Sequence, residues 1–199
     1  MSRSRVETVP LVAGSAVLDL VNTVSWRGNP GWRVDHLETV EHCLTWAERS
    51  GVLSPDETPV LASQPDLLRG MVAELTGFRE LVATELIPLG DSPLPARLTQ
   101  AIVDAHRHGE LASTAGRRRW VVTSLDRHTI YRRLALEVEA LLIERGGRIG
   151  VCGDADCRWV FLDTSRGQNR RWCRSSDCGN RNRVRRHQRR TIRAAQHQA

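Results

Sequence analysis

Apolar positions recur along this chain at helical spacing, and turn residues punctuate the resulting blocks. Ala16–Val24 is a short apolar block in which Val17, Leu18, Val21 and Val24 share one side of a helix, with Asp19 and Asn22 on another. Trp26-Arg-Gly-Asn-Pro-Gly31 then breaks the pattern. Leu37, Val40, Leu44 and Ala47 predict a second helix over about Thr39–Ser50, closed by a left-handed cap at Gly51. Ser54-Pro-Asp-Glu57 has the form of a helix start, with a capping Ser, a Pro in the first turn and a Glu three residues on. Leu68, Met71, Leu75, Phe78, Val82 and Leu86 predict the longest helix, from about Pro65 to Ile87, stopped by Pro88 and Gly90. Further helices are expected over Pro95–His106 and Ser124–Arg145, the latter burying Ile130, Leu134, Val138 and Leu141, with a brief strand at Trp120-Val-Val122 between them.

The texture changes after Gly146-Gly147, where the pattern puts a boundary. Arg148–Val151 and Trp159–Leu162 are short β-like segments, and from Ser175 the chain is polar and basic. The predicted fold is mainly α. A helical N-terminal domain spans 1–146, and a small C-terminal module spans 147–199, built as a β-hairpin knuckle followed by a basic helix.

Charge sharpens that division. The chain has 199 residues and no Lys, so all 29 basic residues are Arg. The first part carries 16 Arg against 19 acidic residues, and the last 52 residues carry 13 Arg against 4 Asp. A mildly acidic body joined to a segment of net charge +9 suggests a sensing part and a nucleic-acid-binding part. Guanidinium groups are planar, multi-donor cations suited to phosphate and to base edges. No apolar run approaches the length that spans a bilayer, and Met1–Val12 is too short and polar for a signal peptide, so a cytoplasmic protein is expected.

Reduced cysteines in that compartment point to metal before disulfides. Cys152 and Cys157 are separated by four residues, Cys173 and Cys178 by four, and fifteen residues lie between the pairs. Two such turns supply four thiolates, the closed tetrahedral set of a structural zinc site; a redox pair or an iron–sulfur site is the alternative. The segment is too polar to fold on its apolar residues alone, so one bound Zn²⁺ per chain would supply folding free energy. Cys43 lies inside a predicted helix and reads as a buried small hydrophobe. His187 could stand in for a cysteine, but four Cys already complete the site.

Beyond Cys178 the chain reads as a helix with almost no apolar face. Arg181, Arg185 and Arg189 stack on one side, Arg186, Arg190 and Arg193 beside them, and only Val184 and Ile192 form a seam. Phosphates would screen such a helix. The candidate nucleic-acid contacts are Arg170, Arg171, Asn180, Arg181, Arg183, Arg185, Arg186, Arg189 and Arg190, with Arg183 as a base reader beside Asn182. In the body, Asp19, Asn22 and Trp32 near turn residues form a candidate ligand pocket, though capping or hydrogen bonding within the structure is the favoured account of Asp19 and Asn22. A nucleophile–base pattern or phosphate loop is missing from the sequence, so an enzyme is not expected.

Arg170-Arg-Trp-Cys173, Cys178-Gly-Asn-Arg181 and Cys157-Arg-Trp-Val-Phe-Leu-Asp-Thr-Ser165 resemble the CGNR zinc finger over about Arg148–Arg190. Asn182-Arg183 departs from the small and basic residues commoner there. Leu18-Asp-Leu-Val-Asn-Thr23, the Trp46 helix ending in Ser50-Gly-Val-Leu53, and Phe78-Arg-Glu-Leu81 resemble the ABATE domain that usually precedes this finger. The resemblance implies a bacterial regulator of transcription under stress. It would bind DNA through the finger and an unknown small-molecule effector or protein partner through its N-terminal domain. An RNA-binding or ribosome-associated zinc protein is the second reading, since zinc ribbons with Arg-rich tails also suit RNA.

Overall fold

The computed structural model describes residues 6–89, 92–114, 116–143 and 148–196; the boundary expected at Gly146-Gly147 and the stop at Gly90 lie outside them. The described residues form seven α-helices and three two-stranded antiparallel sheets. Helix α1 (Ala16–Val21) sits at the centre and packs against α4 (Met71–Leu81), α6 (Thr129–Ile143) and strand β6 (Val160–Asp163). It is buried all round, including Asp19, whereas the sequence pattern predicts a polar side.

Local signals explain where most helices begin and end. Thr39 caps α2 (Val40–Arg49), its hydroxyl accepting from the His42 N–H at 3.2 Å, and Gly51 closes the end at φ +75°. Ser54 and Glu57 exchange the reciprocal bonds of a capping box at the start of α3 (Glu57–Ala62). Helix α4 starts six residues later than its apolar spacing predicts. From Gln64 to Met71 the backbone closes successive three-residue turns, and Gly70 at φ +87° separates them from the helix. The helix then widens into a π-turn over Val82–Leu86. Helix α5 (Ala96–Arg107) follows the expected bounds. Helix α6 also starts late, because the Asp126 carboxylate accepts the His128 N–H at 2.7 Å and the Asp126 N–H donates to the Thr129 hydroxyl at 2.8 Å. These local bonds compete with the helical pattern over Ser124–His128.

Two hairpins went unpredicted. β1 (Val24–Ser25) pairs with β2 (Val34–Asp35), and β3 (Glu110–Thr114) pairs with β4 (Arg117–Val121) over five residue pairs. Behind β1–β2 lies Arg79, 3% exposed, which donates to Asp35 at 2.6 and 2.7 Å, to Glu80 at 2.8 Å and to the Thr23 hydroxyl at 3.2 Å. A buried guanidinium needs partners of this kind, and the Arg79 side chain has them on every nitrogen.

The C-terminal segment does not stand apart from the helical body. In the hairpin of β5 (Arg148–Val151) and β6, Val160 and Leu162 face the body's main core, while Phe161 turns the other way onto a small core with Val9 and the four cysteines. Strand alternation thus divides one strand between two cores. The outer edge of β6 is closed by the body. The Leu162 N–H donates to the Ala13 carbonyl at 2.7 Å, and the Asn22 amide both accepts from the Val160 N–H at 2.8 Å and donates to the Val160 carbonyl at 2.9 Å.

Asp19 is spent on backbone as well. Its Oδ1 accepts the N–H groups of Val12 and Ala13 at 2.9 and 3.0 Å, and burial pushes its carboxyl up to about 6 against the pull of those bonds. A raised native pKa favours the protonated form, so its stabilising contribution is full below about pH 4 and is lost as pH rises through 6. The penalty at neutral pH is on the order of 3 kcal/mol. Asp19→Asn keeps an oxygen for both N–H groups and should raise the thermal midpoint at pH 7 to 8 while flattening stability between pH 4 and 6. A carboxyl carbon that titrates near 4 in NMR would refute this.

Candidate metal centre and basic face

Cys152 follows β5 directly, and its N–H donates to the Trp159 carbonyl at 2.7 Å. The turn Asp154–Cys157 is closed by the Cys157 N–H on the Asp154 carbonyl at 3.0 Å, and Arg158 follows at φ +58°. The Gly153 N–H donates to the Arg171 carbonyl at 2.9 Å, which ties the first knuckle to the segment leading into Cys173. Cys178 lies in a π-turn, Ser175–Gly179, that feeds α7 (Asn180–Gln196).

These pieces bring the four sulfurs within 4.8 Å of one another, all buried, with Cys157–Cys173 at 3.8 Å and Cys173–Cys178 at 3.5 Å. Four sulfurs about 2.3 Å from a tetrahedral Zn²⁺ stand roughly 3.8 Å apart, so the arrangement fits the ion's geometry and leaves no position for substrate. Hydrogen bonds from the other three hold the Cys152 thiol far below its ordinary range, while the neighbouring sulfurs and burial push Cys157, Cys173 and Cys178 far above theirs. Cys152, Cys157, Cys173 and Cys178 are therefore positioned to hold one structural zinc ion. His187 is exposed on α7 and is not part of this cluster. Cys43 is a core residue whose thiol burial pushes up to about 12.

The expected nucleic-acid contacts divide by what they touch. Arg181 donates to the fully buried Asp154 at 2.7 Å, to Asp177 at 3.1 Å and to the Cys178 sulfur at 2.9 Å, with its guanidinium 4.6 Å over the Trp26 ring. Arg185 bonds Asp154 at 3.4 Å and Asp156 at 2.7 Å. Arg170 lies 4.2 Å over Phe161 and donates to the carbonyls of Val12, Trp172 and Cys173. These three are held within the protein. Arg171 stacks 5.0 Å over Trp172 and is exposed, as is Asn180. Arg183, Arg186, Arg189 and Arg190 are exposed, and among the described residues only Arg183 of these has a partner, the Ser175 carbonyl at 3.5 Å. The Asn182 amide donates to the Cys178 carbonyl at 3.1 Å and so serves the finger. At 100° per residue Arg183, Arg186 and Arg190 point away from Arg181 and Arg185. α7 thus has an anchored face and an outward face.

Asp154, Asp156 and Trp26 were missed in the sequence. The spacing of Asp154 and Asp156 does suit Arg181 and Arg185, one helical turn apart, but only folding brings the pairs together. The Trp26–Trp32 segment reaches the same place: Asn29 donates to Asp156 at 3.2 Å, and a Cβ on Gly28 would stand 1.8 Å from the Ala155 carbonyl oxygen. Of the candidate pocket, Asp19 and Asn22 are bonded to backbone and Trp32 is 55% exposed against the edge of Trp26. None of the three lines either of two surface hollows. One hollow, of about 430 Å³, opens where body meets finger and is lined by Arg27, Ile87, Val151 and Arg158 among others.

A family model described as the CGNR zinc finger matches residues 148–191. A second, ABATE, described as "Putative stress-induced transcription regulator", matches residues 14–144. No curated protein matches the chain. The first match takes in all four cysteines and the arginines of α7 as far as Arg190, and the second takes in Asp19, Asn22 and Arg79 within well over half of the sequence; the chain belongs to the ABATE family and carries a C-terminal CGNR zinc finger.

Proposed function

We propose that this chain is a DNA-binding transcription regulator in which zinc holds the finger together and α7 lays its outward arginines on the duplex. One observation carries the reading. Asp154, Asp156 and Asp177 of the finger are spent on Arg181 and Arg185 and Asp163 on Ser165 and the Arg170 N–H, which leaves the exposed Arg186, Arg189 and Arg190 without carboxylate partners among the described residues. Phosphates supply the missing counter-charge, and Arg183, earlier on α7, is placed to reach a base edge. The chain works as a binding protein rather than an enzyme. The helical body acts as the sensor, and the hollow where it meets the finger suits an effector whose binding would shift α7. No helix among the described residues is long and apolar enough to cross a membrane. RNA is the less favoured partner: Trp159 is buried with its indole N–H on the Val24 carbonyl at 3.0 Å, and Trp172 packs under Arg171, so neither is free to stack on a base.

A salt titration of duplex DNA and matched RNA tests this. With about five phosphates engaged, log K for DNA should fall against log salt with a slope of roughly −4 to −5. Arg186→Ala/Arg190→Ala should make the slope shallower by about 2 for every DNA sequence, at unchanged thermal stability. Arg185→Ala should instead loosen the finger. Salt-insensitive binding, an unaffected double variant or a strong preference for RNA would refute the reading.

A further inference from the structure

We infer that the β3–β4 hairpin is a second nucleic-acid contact, a basic wing that grips the phosphate backbone of the duplex engaged by α7; this rests on the function proposed above. Arg117, Arg118 and Arg119 are consecutive on β4 and all exposed, and none has a hydrogen-bond or ion-pair partner among the described residues. Elsewhere in the body Arg97 and Arg107 are also exposed without a partner among the described residues, but each stands alone at one end of α5. Arg27, Arg69, Arg79, Arg132 and Arg133 each pair with a carboxylate, and Arg49 donates to the carbonyls of Val6 and Val9. Three adjacent guanidinium groups on one small element thus have no counter-charge among the described residues, in a body with more acidic groups than arginines.

That element has the form such a contact needs. Pairing runs from Glu110↔Val121 to Thr114↔Arg117, which puts the arginines toward the turn and the apolar pair Leu111↔Trp120 toward the base. The Trp120 ring meets His106 of α5 edge-on at 4.7 Å, which seats that end of the hairpin on the body. Arg117 and Arg119 lie on one face about 7 Å apart, and Arg118 lies on the other. Opposite Arg118 is Ser113, exposed, whose hydroxyl is a further phosphate donor. A two-stranded ribbon is also narrow enough to follow a DNA groove. The competing explanation is that charge merely guards the open edges of a two-stranded sheet against self-association.

The triple variant Arg117→Ala/Arg118→Ala/Arg119→Ala in the zinc-loaded full chain separates the two, with the Arg→Lys triple as its charge-preserving partner. A wing predicts a DNA affinity about 10- to 100-fold weaker near 0.1 M salt, a slope shallower by about 2 to 3, an unchanged thermal midpoint, and recovery of the slope in the Lys variant. Unchanged affinity and slope, with or without new self-association by light scattering, would overturn the wing and assign the arginines to edge protection. Stronger losses on RNA or on an acidic protein than on DNA would overturn it as well. If wild type does not bind DNA, the parent reading fails too; if binding depends on Arg186 and Arg190 but not on the hairpin, only the wing fails.

Discussion

Stripping the metal with a strong chelator should melt the helical body together with the finger. A bound structural zinc contributes roughly 10–16 kcal/mol to the folding of small zinc modules, as much as the entire net stability of an ordinary domain. In this chain that contribution does not stay in the finger. Val160 and Leu162 belong to the same core as α1 and α6, and the edge of β6 is bonded to Ala13 and Asn22. Loss of the four-sulfur centre releases β6, and with it a wall of the body's core. Metal analysis should find about one zinc per chain, and its removal should lower the thermal midpoint of the far-ultraviolet helical signal by well over 10 °C. Cys173→Ser should act in the same direction, whereas Cys43→Ala should leave the metal content unchanged. A body whose helical signal and midpoint survive zinc loss would mean that the two cores stand independently.

Asn22→Leu should be among the costliest single substitutions outside the metal centre. The Asn22 amide is fully buried and stands in for a neighbouring strand, satisfying both the N–H and the carbonyl of Val160. Leu fills a similar volume but leaves two buried backbone groups without partners, at about 1–3 kcal/mol each. The expected loss is roughly 2–5 kcal/mol, read as a lower denaturant midpoint with zinc still bound. Asn22→Asp should recover only the bond from the Val160 N–H. If Asn22→Leu changes stability by less than about 1 kcal/mol, the joint between body and finger is looser than the bonds imply.

Both of these expectations depend on contacts across more than a hundred residues, which explains what could be read from the sequence and what could not. The metal centre was legible because its ligands are one residue type at short spacing, and because zinc accepts few geometries. Helix α2 was legible because cap and apolar stripe agree at its ends, and α5 because Pro95 stands directly before its apolar stripe. The starts of α4 and α6 were not, because Gly70 and the Asp126 side chain override an apolar period that continues past them. The β3–β4 hairpin was hidden because only Trp120-Val-Val122 has strand character, and three consecutive arginines show no alternation of apolar and polar positions. On α7 the positive charge was plain, but which arginines are free was not. That depends on Asp154 and Asp156, which sequence spacing presents only as filler between two cysteines. Asp19 and Asn22 stood out as polar residues in an apolar block, and their partners proved to be backbone at Val12, Ala13 and Val160.

Zinc fingers are commonly treated as interchangeable cassettes, cut from one protein and grafted into another. The division of β6 between two cores argues that this finger has no such portability. Excised at its family boundaries, residues 148–191 would carry Val160 and Leu162 as a bare apolar strip beside an unpaired strand edge. A graft would keep its zinc and its arginines yet adhere to itself or to any open sheet. Recombination in this lineage should therefore move the body and the finger together, and a transplantable version would first need polar residues at 160 and 162.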